Sequence, residues 1–327
     1  MKNLFLTFMT IAMVATLAAC QIVDPDDAGQ LVPRTVDEDS SLPSIFVNGT
    51  QLHAETFGNP NDPMLVVLHG GPGGDYRGLL KCKSFANDGF FVVFYDQRGS
   101  GLSKRLRKES YTSVNLFIDD LAGVIKHYRK SADQKIFLLG QSWGAMLATA
   151  YVNEHPEEIS GVILSEPGGF TWNDAKEYVQ RTRSLKLFDE TSNDYLYLDQ
   201  LLTGDDHIKL DYKAGLQSAA AFSASNKTGQ KEPMPFWRFG AICSSAAMEI
   251  AENHPFDFTT NLRKYTTKIL FAYSELNEAY GKAHAEHVSS AYPNVHLVEI
   301  KGTGHEIPYF GWERFYPVAK NYLNTIR

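Results

Sequence analysis

Cysteine is scarce in this chain: 327 residues hold three, at positions 20, 82 and 243. So few cannot build a disulfide framework, and no Cys/His group has the spacing of a metal site. No metal and no cofactor is therefore expected. Cys82 and Cys243 could pair in an oxidising compartment or stay as buried thiols, and their separation along the chain does not decide between the two. A dominant charge is also lacking. Thirty-one basic against 38 acidic residues leave a formal −7 without a basic patch, which argues against nucleic acid as a partner. Internal repeats and long low-complexity runs are missing too, which excludes solenoids and arrays. With 43% hydrophobic residues, the chain is long enough for one large core or a core with a subdomain. Nothing in it speaks to oligomeric state.

The first 20 residues have the layout of a targeting segment. Lys2 supplies a short positive start, Leu4 to Ala19 is mostly apolar, and the run ends Leu17-Ala18-Ala19-Cys20. It is too short for a confident spanning helix. The ending resembles the lipobox of bacterial lipoproteins, which implies that Cys20 becomes the lipidated first residue of the mature chain. The alternative is an ordinary secretory signal that happens to end in Cys. Gln21 follows rather than Asp, so the familiar inner-membrane retention signal is absent. The expected location is a lipid anchor on a bacterial envelope membrane, the outer one by preference. Residues 21–40 carry Asp24, Asp26, Asp27, Asp37, Glu38 and Asp39 beside a single Arg34, and read as a solvated tether.

From there the pattern predicts an α/β fold with a mostly parallel sheet flanked by helices. Ile45 to Phe57 reads as a hairpin turning at Asn48-Gly49. Met64–Leu68, Phe90–Tyr95, Ile136–Leu139 and Val162–Leu164 are short apolar runs of the kind buried on both faces. Helices are predicted over Ser113–Arg129 and Trp143–Glu154, the second ended by Pro156. The rhythm stops over 170–263, where Trp172–Leu187 and Ala214–Ser225 look helical and no strand run occurs. It resumes with strands at Lys268–Tyr273 and His296–Ile300 and helices at Ala279–Ala291 and Trp312–Ile326. This predicts a core of residues 41–169 and 264–327 with an inserted helical cap over 170–263. A run of extra surface helices is the plainer alternative.

Gly140-Gln141-Ser142-Trp143-Gly144 lies between a predicted buried strand and a predicted helix. That is the setting of a nucleophile elbow, which exposes Ser142 at a sharp turn. His69-Gly70-Gly71-Pro72-Gly73-Gly74 follows the Met64–Leu68 strand, where a glycine-rich turn can aim a backbone N–H at a developing oxyanion. Gly71 would supply one amide and Trp143, the residue after the nucleophile, the other. His305, in Gly302-Thr303-Gly304-His305 after the last strand, is the candidate general base. His287 and His296 fall inside predicted elements and read as structural. Ser rather than Asp at the elbow excludes the aspartyl-nucleophile dehalogenases and epoxide hydrolases.

These blocks, with Asp96-Gln97-Arg98-Gly99-Ser100-Gly101, resemble the proline iminopeptidase group of α/β-hydrolases over residues 45–169 and 265–327. The resemblance implies a serine peptidase that removes N-terminal residues from short peptides through an acyl-enzyme on Ser142. An esterase or lactonase using the same residues is the alternative, and a ligand-binding lipoprotein without turnover is a second. It gives the Asp96–Gly101 loop a bracing role. It also places an acid just beyond the Lys268–Tyr273 strand, where this chain has Ser274-Glu275-Leu276-Asn277-Glu278, with Asn277 in the acid's position. An Asn orients an imidazole but cannot offset its positive charge. Glu166, after the neighbouring strand, is the leading candidate for a relocated acid, resembling in this certain lipases and haloalkane dehalogenases. Glu275 and Glu278 are others, and loss of the acid is a further possibility. The resemblance also implies carboxylates in the cap to hold a free α-amine. Glu177, Asp189, Glu190, Asp194, Asp205, Asp206 and Glu232 are available, and spacing singles out none. Phe236, Trp237 and Phe239 could line an apolar substrate pocket or pack the cap.

Overall fold

A computed structural model describes residues 32–182, 206–220, 226–230 and 232–327. Eight strands form one sheet in the order β1-β2-β4-β3-β5-β6-β7-β8. β1 (Ser44–Val47) and β2 (Thr50–Phe57) make the hairpin, turning through Asn48 and Gly49 at φ 44° and 77°. That left-handed pair is what an Asn-Gly turn supplies. β2 runs antiparallel to β4 (Phe91–Tyr95). From β4 through β3 (Met64–Leu68), β5 (Ile136–Gln141), β6 (Gly161–Ser165), β7 (Ile269–Ser274) and β8 (Val295–Ile300) every pairing is parallel.

The five strands from β4 to β7 are buried at every position, because helices cover both faces. In β3, Met64, Val66 and Leu68 face a core with helices α1 (Asn115–Tyr128) and α2 (Trp143–Glu154), while Leu65 and Val67 face the other core. A 3₁₀ helix over Arg77–Asp88 and the last helix fill that second core. Each fully buried Leu or Val contributes about 1.5–3 kcal/mol, so the sheet is the main store of stability. The same alternation decides the two cysteines. Cys82 lies in one core and Cys243 in the other, both as buried free thiols.

Between β6 and β7 come α3 (Trp172–Thr182), α4 (His207–Ala220) and α5 (Ala241–Asn253). The end of the predicted Trp172–Leu187 helix lies outside the described residues. So does the end of the Ala214–Ser225 helix, whose start moves back to His207. Asp211 of α4 is buried between two guanidiniums: its Oδ2 accepts from Arg105 Nε at 2.8 Å and Arg238 Nε at 2.7 Å. After β7 come α6 (Gly281–Ser289), α7 (Ile307–Phe310) and α8 (Trp312–Ile326).

The tether ends earlier than its acidic composition suggests. Thr35 and Val36 are buried, and Val36 N–H donates to Leu102 O at 2.9 Å. The reason is Arg238, whose guanidinium is buried and needs acceptors beyond Asp211. Its Nη1 donates to Pro33 O at 3.0 Å and to Glu38 Oε2 at 3.4 Å, so residues 33–38 lie against the body. Among the described residues no helix is long and apolar enough to cross a membrane. Cys20 lies outside the described residues.

Candidate active site

Parallel strands bring their carboxyl ends to one edge of the sheet, and every chemical motif falls there. Ser142 joins β5 to α2 at φ 54° and ψ −120°, a strained backbone for a residue with a Cβ. The neighbouring glycines make it possible. A Cβ on Gly140 would lie 2.3 Å from Gly144 O, and one on Gly144 would lie 2.1 Å from Leu68 O. Ser142 N–H donates to Ser165 O at 2.8 Å, tying the elbow to the end of β6.

The glycine-rich loop after β3 lies directly on the elbow. A Cβ on Gly70 would sit 2.4 Å from Gln141 Oε1 and 3.2 Å from Ser142 Cβ. Buried His69 anchors this loop. Burial lowers its pKa despite Asp96 and the Gly70 carbonyl, so the ring is neutral. Its Nδ1 donates to Gly70 O at 2.8 Å and its Nε2 accepts from Gln97 N–H at 2.9 Å. Gln97 then bonds His69 O through Nε2 and the Trp143 indole through Oε1, at 2.9 and 2.8 Å. This is the bracing expected of the Asp96–Gly101 loop. The backbone amides of Gly71 and Trp143 have no acceptor among the described residues. Trp143 opens its helix, where an N–H has no intrahelical partner.

The acid position has a definite geometry. Glu166, at φ 43° just past β6, is fully buried and takes four hydrogen bonds. Its Oε1 accepts from Ser274 N–H at 2.6 Å and Ser274 Oγ at 2.5 Å. Its Oε2 accepts from Asn277 Nδ2 at 2.9 Å and from His305 Nδ1 at 2.8 Å. Asn277, where the resemblance puts the acid, is thus a donor that holds the Glu166 carboxylate at the end of the neighbouring strand. A proton on Nδ1 leaves Nε2 of His305 with the lone pair. Burial opposes charge on His305, but the bond to Glu166, its charge and that of Glu306 together raise the pKa above the usual value. The two other carboxylates do not reach the ring. Glu275 is exposed and binds Gly302 N–H at 2.8 Å and Lys301 Nζ at 3.1 Å, and Glu278 is exposed.

A profile of the serine aminopeptidase family S33 matches residues 59–201. A proline iminopeptidase of Thermoplasma volcanium is 38% identical over 101 residues, 31% of this chain and 33% of that protein. Epoxide hydrolase B of Mycobacterium tuberculosis is 32% identical over 117 residues, 35% of this chain and 32% of its own. The chain therefore spans about a third of the length of these curated relatives. In overall shape, the crystal structure of proline iminopeptidase from Mycobacterium smegmatis covers 87% of this chain and 98% of its own, at TM-score 0.58 and 19% identity. The chain has the fold of these α/β-hydrolases, and part of its sequence is similar to serine aminopeptidases of family S33 and to proline iminopeptidases.

In this α/β-hydrolase the three aromatic residues predicted for the pocket part company. The Phe236 ring lies 3.3 Å from where a Cβ on Gly215 would stand, so it packs against α4. Trp237 packs edge-on against Tyr76 and His53, at centroid distances of 4.9 and 5.4 Å. Of the three, only Phe239 reaches the glycine-rich loop, 3.4 Å from where a Cβ on Gly73 would stand. The short stretch 236–240 is held by backbone bonds to Asp75 and Gly73, so consecutive rings point different ways. The sequence signals no role for two residues of this chain. Ser274 closes β7 like any strand residue. Tyr178 reads as a residue of an amphipathic cap helix, yet its hydroxyl stands 3.0 Å from Asn277 Nδ2 and 3.2 Å from His305 Nδ1. Glu177 on the same helix is exposed, as are Asp206 and Glu232, while Asp189, Glu190, Asp194 and Asp205 lie outside the described residues. Among the described residues no group of three His, Cys, Asp or Glu side chains could hold a metal ion.

Proposed function

We propose that Ser142, His305 and Glu166 form a nucleophile–base–acid chain that removes N-terminal residues from short peptides. The observation that carries this reading is the buried Glu166 carboxylate. It meets His305 Nδ1 at 2.8 Å, one residue past the carbonyl that holds Ser142 N–H. In this reading Ser142 Oγ attacks the carbonyl carbon and His305 Nε2 takes the hydroxyl proton. The Gly71 and Trp143 amides stabilise the oxyanion, and each is worth about 10²–10³ in turnover. The protonated ring then hands its proton to the leaving amine, so the bond breaks with a neutral amine and an acyl-enzyme on Ser142. Water, activated by the same imidazole, releases the acid. Glu166 stays ionised throughout and offsets the transient imidazolium charge.

The likeness to proline iminopeptidases supports a peptide with a free N-terminus, proline among the candidates, as substrate. The test is release of arylamine from proline and other amino-acid arylamides, beside hydrolysis of short acyl esters. Arylamide turnover supports the reading. Rapid ester hydrolysis without any arylamide turnover would replace it with an esterase or lactonase. Attachment to a bacterial envelope membrane through a lipid on Cys20 belongs to the same proposal. It requires that Cys20→Ala release the protein from the membrane fraction.

A further inference from the structure

The glycine-rich loop is braced at both ends, by different parts of the molecule. Residues 70–74 form a tight turn. A Cβ on Gly71 would lie 2.6 Å from Gly73 N, and one on Gly74 would lie 2.7 Å from Gly70 O. So compact a turn moves as a unit, and its two ends set where the Gly71 amide points. His69 fixes the entry to the core through Gln97. The exit is Asp75, and its partners come from the cap. Its Oδ2 accepts from the N–H groups of Trp237 and Arg238 at 2.6 and 3.1 Å, across 162 and 163 residues. Its Oδ1 accepts from Arg77 N–H at 3.0 Å within its own turn. Beside it Gly240 N–H donates to Gly73 O at 2.7 Å, and a Cβ on Gly73 would lie 2.7 Å from Gly240 O. Residues 236–240 of the cap therefore lie directly on the loop. Turn closure alone does not account for this carboxylate. Asp75 is buried, and burial with the Asp96 charge pushes its carboxyl up to about 7, so the position disfavours a charge. One oxygen on Arg77 N–H would close the turn, and the other is engaged by the cap.

We propose that Asp75 is a positioning residue, which ties the placement of the Gly71 amide to the seating of cap residues 236–240. The proposal rests on the reading of Ser142 as nucleophile and Gly71 as an oxyanion donor. The Asp75 carboxylate bonds only backbone amides of its own turn and of the cap, so it acts through the loop. An oxyanion donor must stand about 2.7–3.1 Å from the developing charge, and a misplacement of about 1 Å costs about 100-fold. With its exit released, the loop keeps only the entry brace. The chemical step, rather than affinity, then responds to how the cap sits. Two substitutions separate the two sides of Asp75. In Asp75→Ser the short hydroxyl can still accept Arg77 N–H within the turn, but it does not reach Trp237. In Asp75→Asn the side-chain oxygen can take both cap amides. Its amide nitrogen cannot accept from Arg77, and the repulsion with Asp96 is gone.

The test compares a phenyl ester with the thionoester that differs only in carrying sulfur for the carbonyl oxygen. Sulfur accepts hydrogen bonds poorly, so the rate ratio of the pair reports the oxyanion donors and does not depend on how much enzyme is folded. The wild type is expected to favour the oxygen ester about tenfold or more in kcat/KM. Asp75→Ser should lower kcat on that ester by about 10–100-fold, keep KM within about twofold, and reduce the preference for oxygen by about tenfold. Asp75→Asn should restore most of both losses. A folded Asp75→Ser enzyme with an unchanged preference overturns the proposal. So does an Asp75→Asn enzyme that loses the preference, which would make the turn or the charge responsible, and this arm decides the matter if the serine variant does not fold. A wild type that turns over both esters without preferring oxygen would remove the Gly71 donor, and the proposal with it, while leaving Ser142 as nucleophile. Turnover of neither ester would remove the hydrolase reading as well.

Discussion

Replacing Glu166 with Gln should be the most damaging isosteric change in the molecule. The carboxylate receives two donors on each oxygen, from Ser274 N–H and Oγ on one side and Asn277 Nδ2 and His305 Nδ1 on the other. A Gln can keep two of the four, because its amide nitrogen donates instead of accepting. Two buried donors then lose their acceptor, at about 1–3 kcal/mol each, for roughly 2–6 kcal/mol of stability. The chemical loss is larger. Without the negative charge the imidazolium is not stabilised, and one orientation of the amide favours the wrong tautomer of His305. A loss of about 10⁴ in kcat is the expected scale. Initial rates on an ester or arylamide, with thermal melts to show that the variant folds, measure both effects. Glu275→Gln and Glu278→Gln should stay near the wild-type rate, since both residues are exposed. A folded Glu166→Gln enzyme with near-normal turnover would refute the reasoning.

Three other outcomes are expected. His305 must be neutral to accept a proton, and its pKa is raised, so kcat/KM should climb with pH through a midpoint above 6.5. The linked stability has the opposite sense: the charged His305–Glu166 pair contributes fully below 6.5, and that contribution is lost as pH rises through the raised value, which melts across pH would show. Tyr178→Phe removes the hydroxyl beside Asn277 and His305. It should lower stability by about 0.5–1.5 kcal/mol and shift the acidic limb of the pH profile, a change that simple loss of packing would not cause. Cys82 and Cys243 sit in separate cores, and burial pushes the Cys243 thiol up to about 12. Reductant should leave the melting temperature unchanged, and native protein should resist alkylation at both sites.

The strands were legible because five of them are buried on both faces and therefore read as unbroken apolar runs. The predicted Met64–Leu68 strand and Trp143–Glu154 helix match the observed bounds. The elbow was legible for a related reason, since its glycines answer to backbone contacts made within a few residues or with the adjacent strand. The acid was legible only as a preference for Glu166, from its place after a neighbouring strand, over Glu275 and Glu278. What separates them is the pairing of β6 with β7, which brings Ser274 and Asn277 to Glu166 across 108 and 111 residues. Tyr178 was missed for the same reason, since it acquires its surroundings only when distant segments meet. Residues 33–38 look like solvated tether until the buried Arg238, about 200 residues away, claims their oxygens.

Mapping the adduct of a fluorophosphonate probe by mass spectrometry tests the central claim most directly, that a relocated glutamate and His305 activate the serine at the elbow. The adduct is expected on Ser142 alone, absent from Ser142→Ala and formed far more slowly in Glu166→Gln. An unlabelled wild type, or one labelled as quickly without the Glu166 carboxylate as with it, would contradict the account.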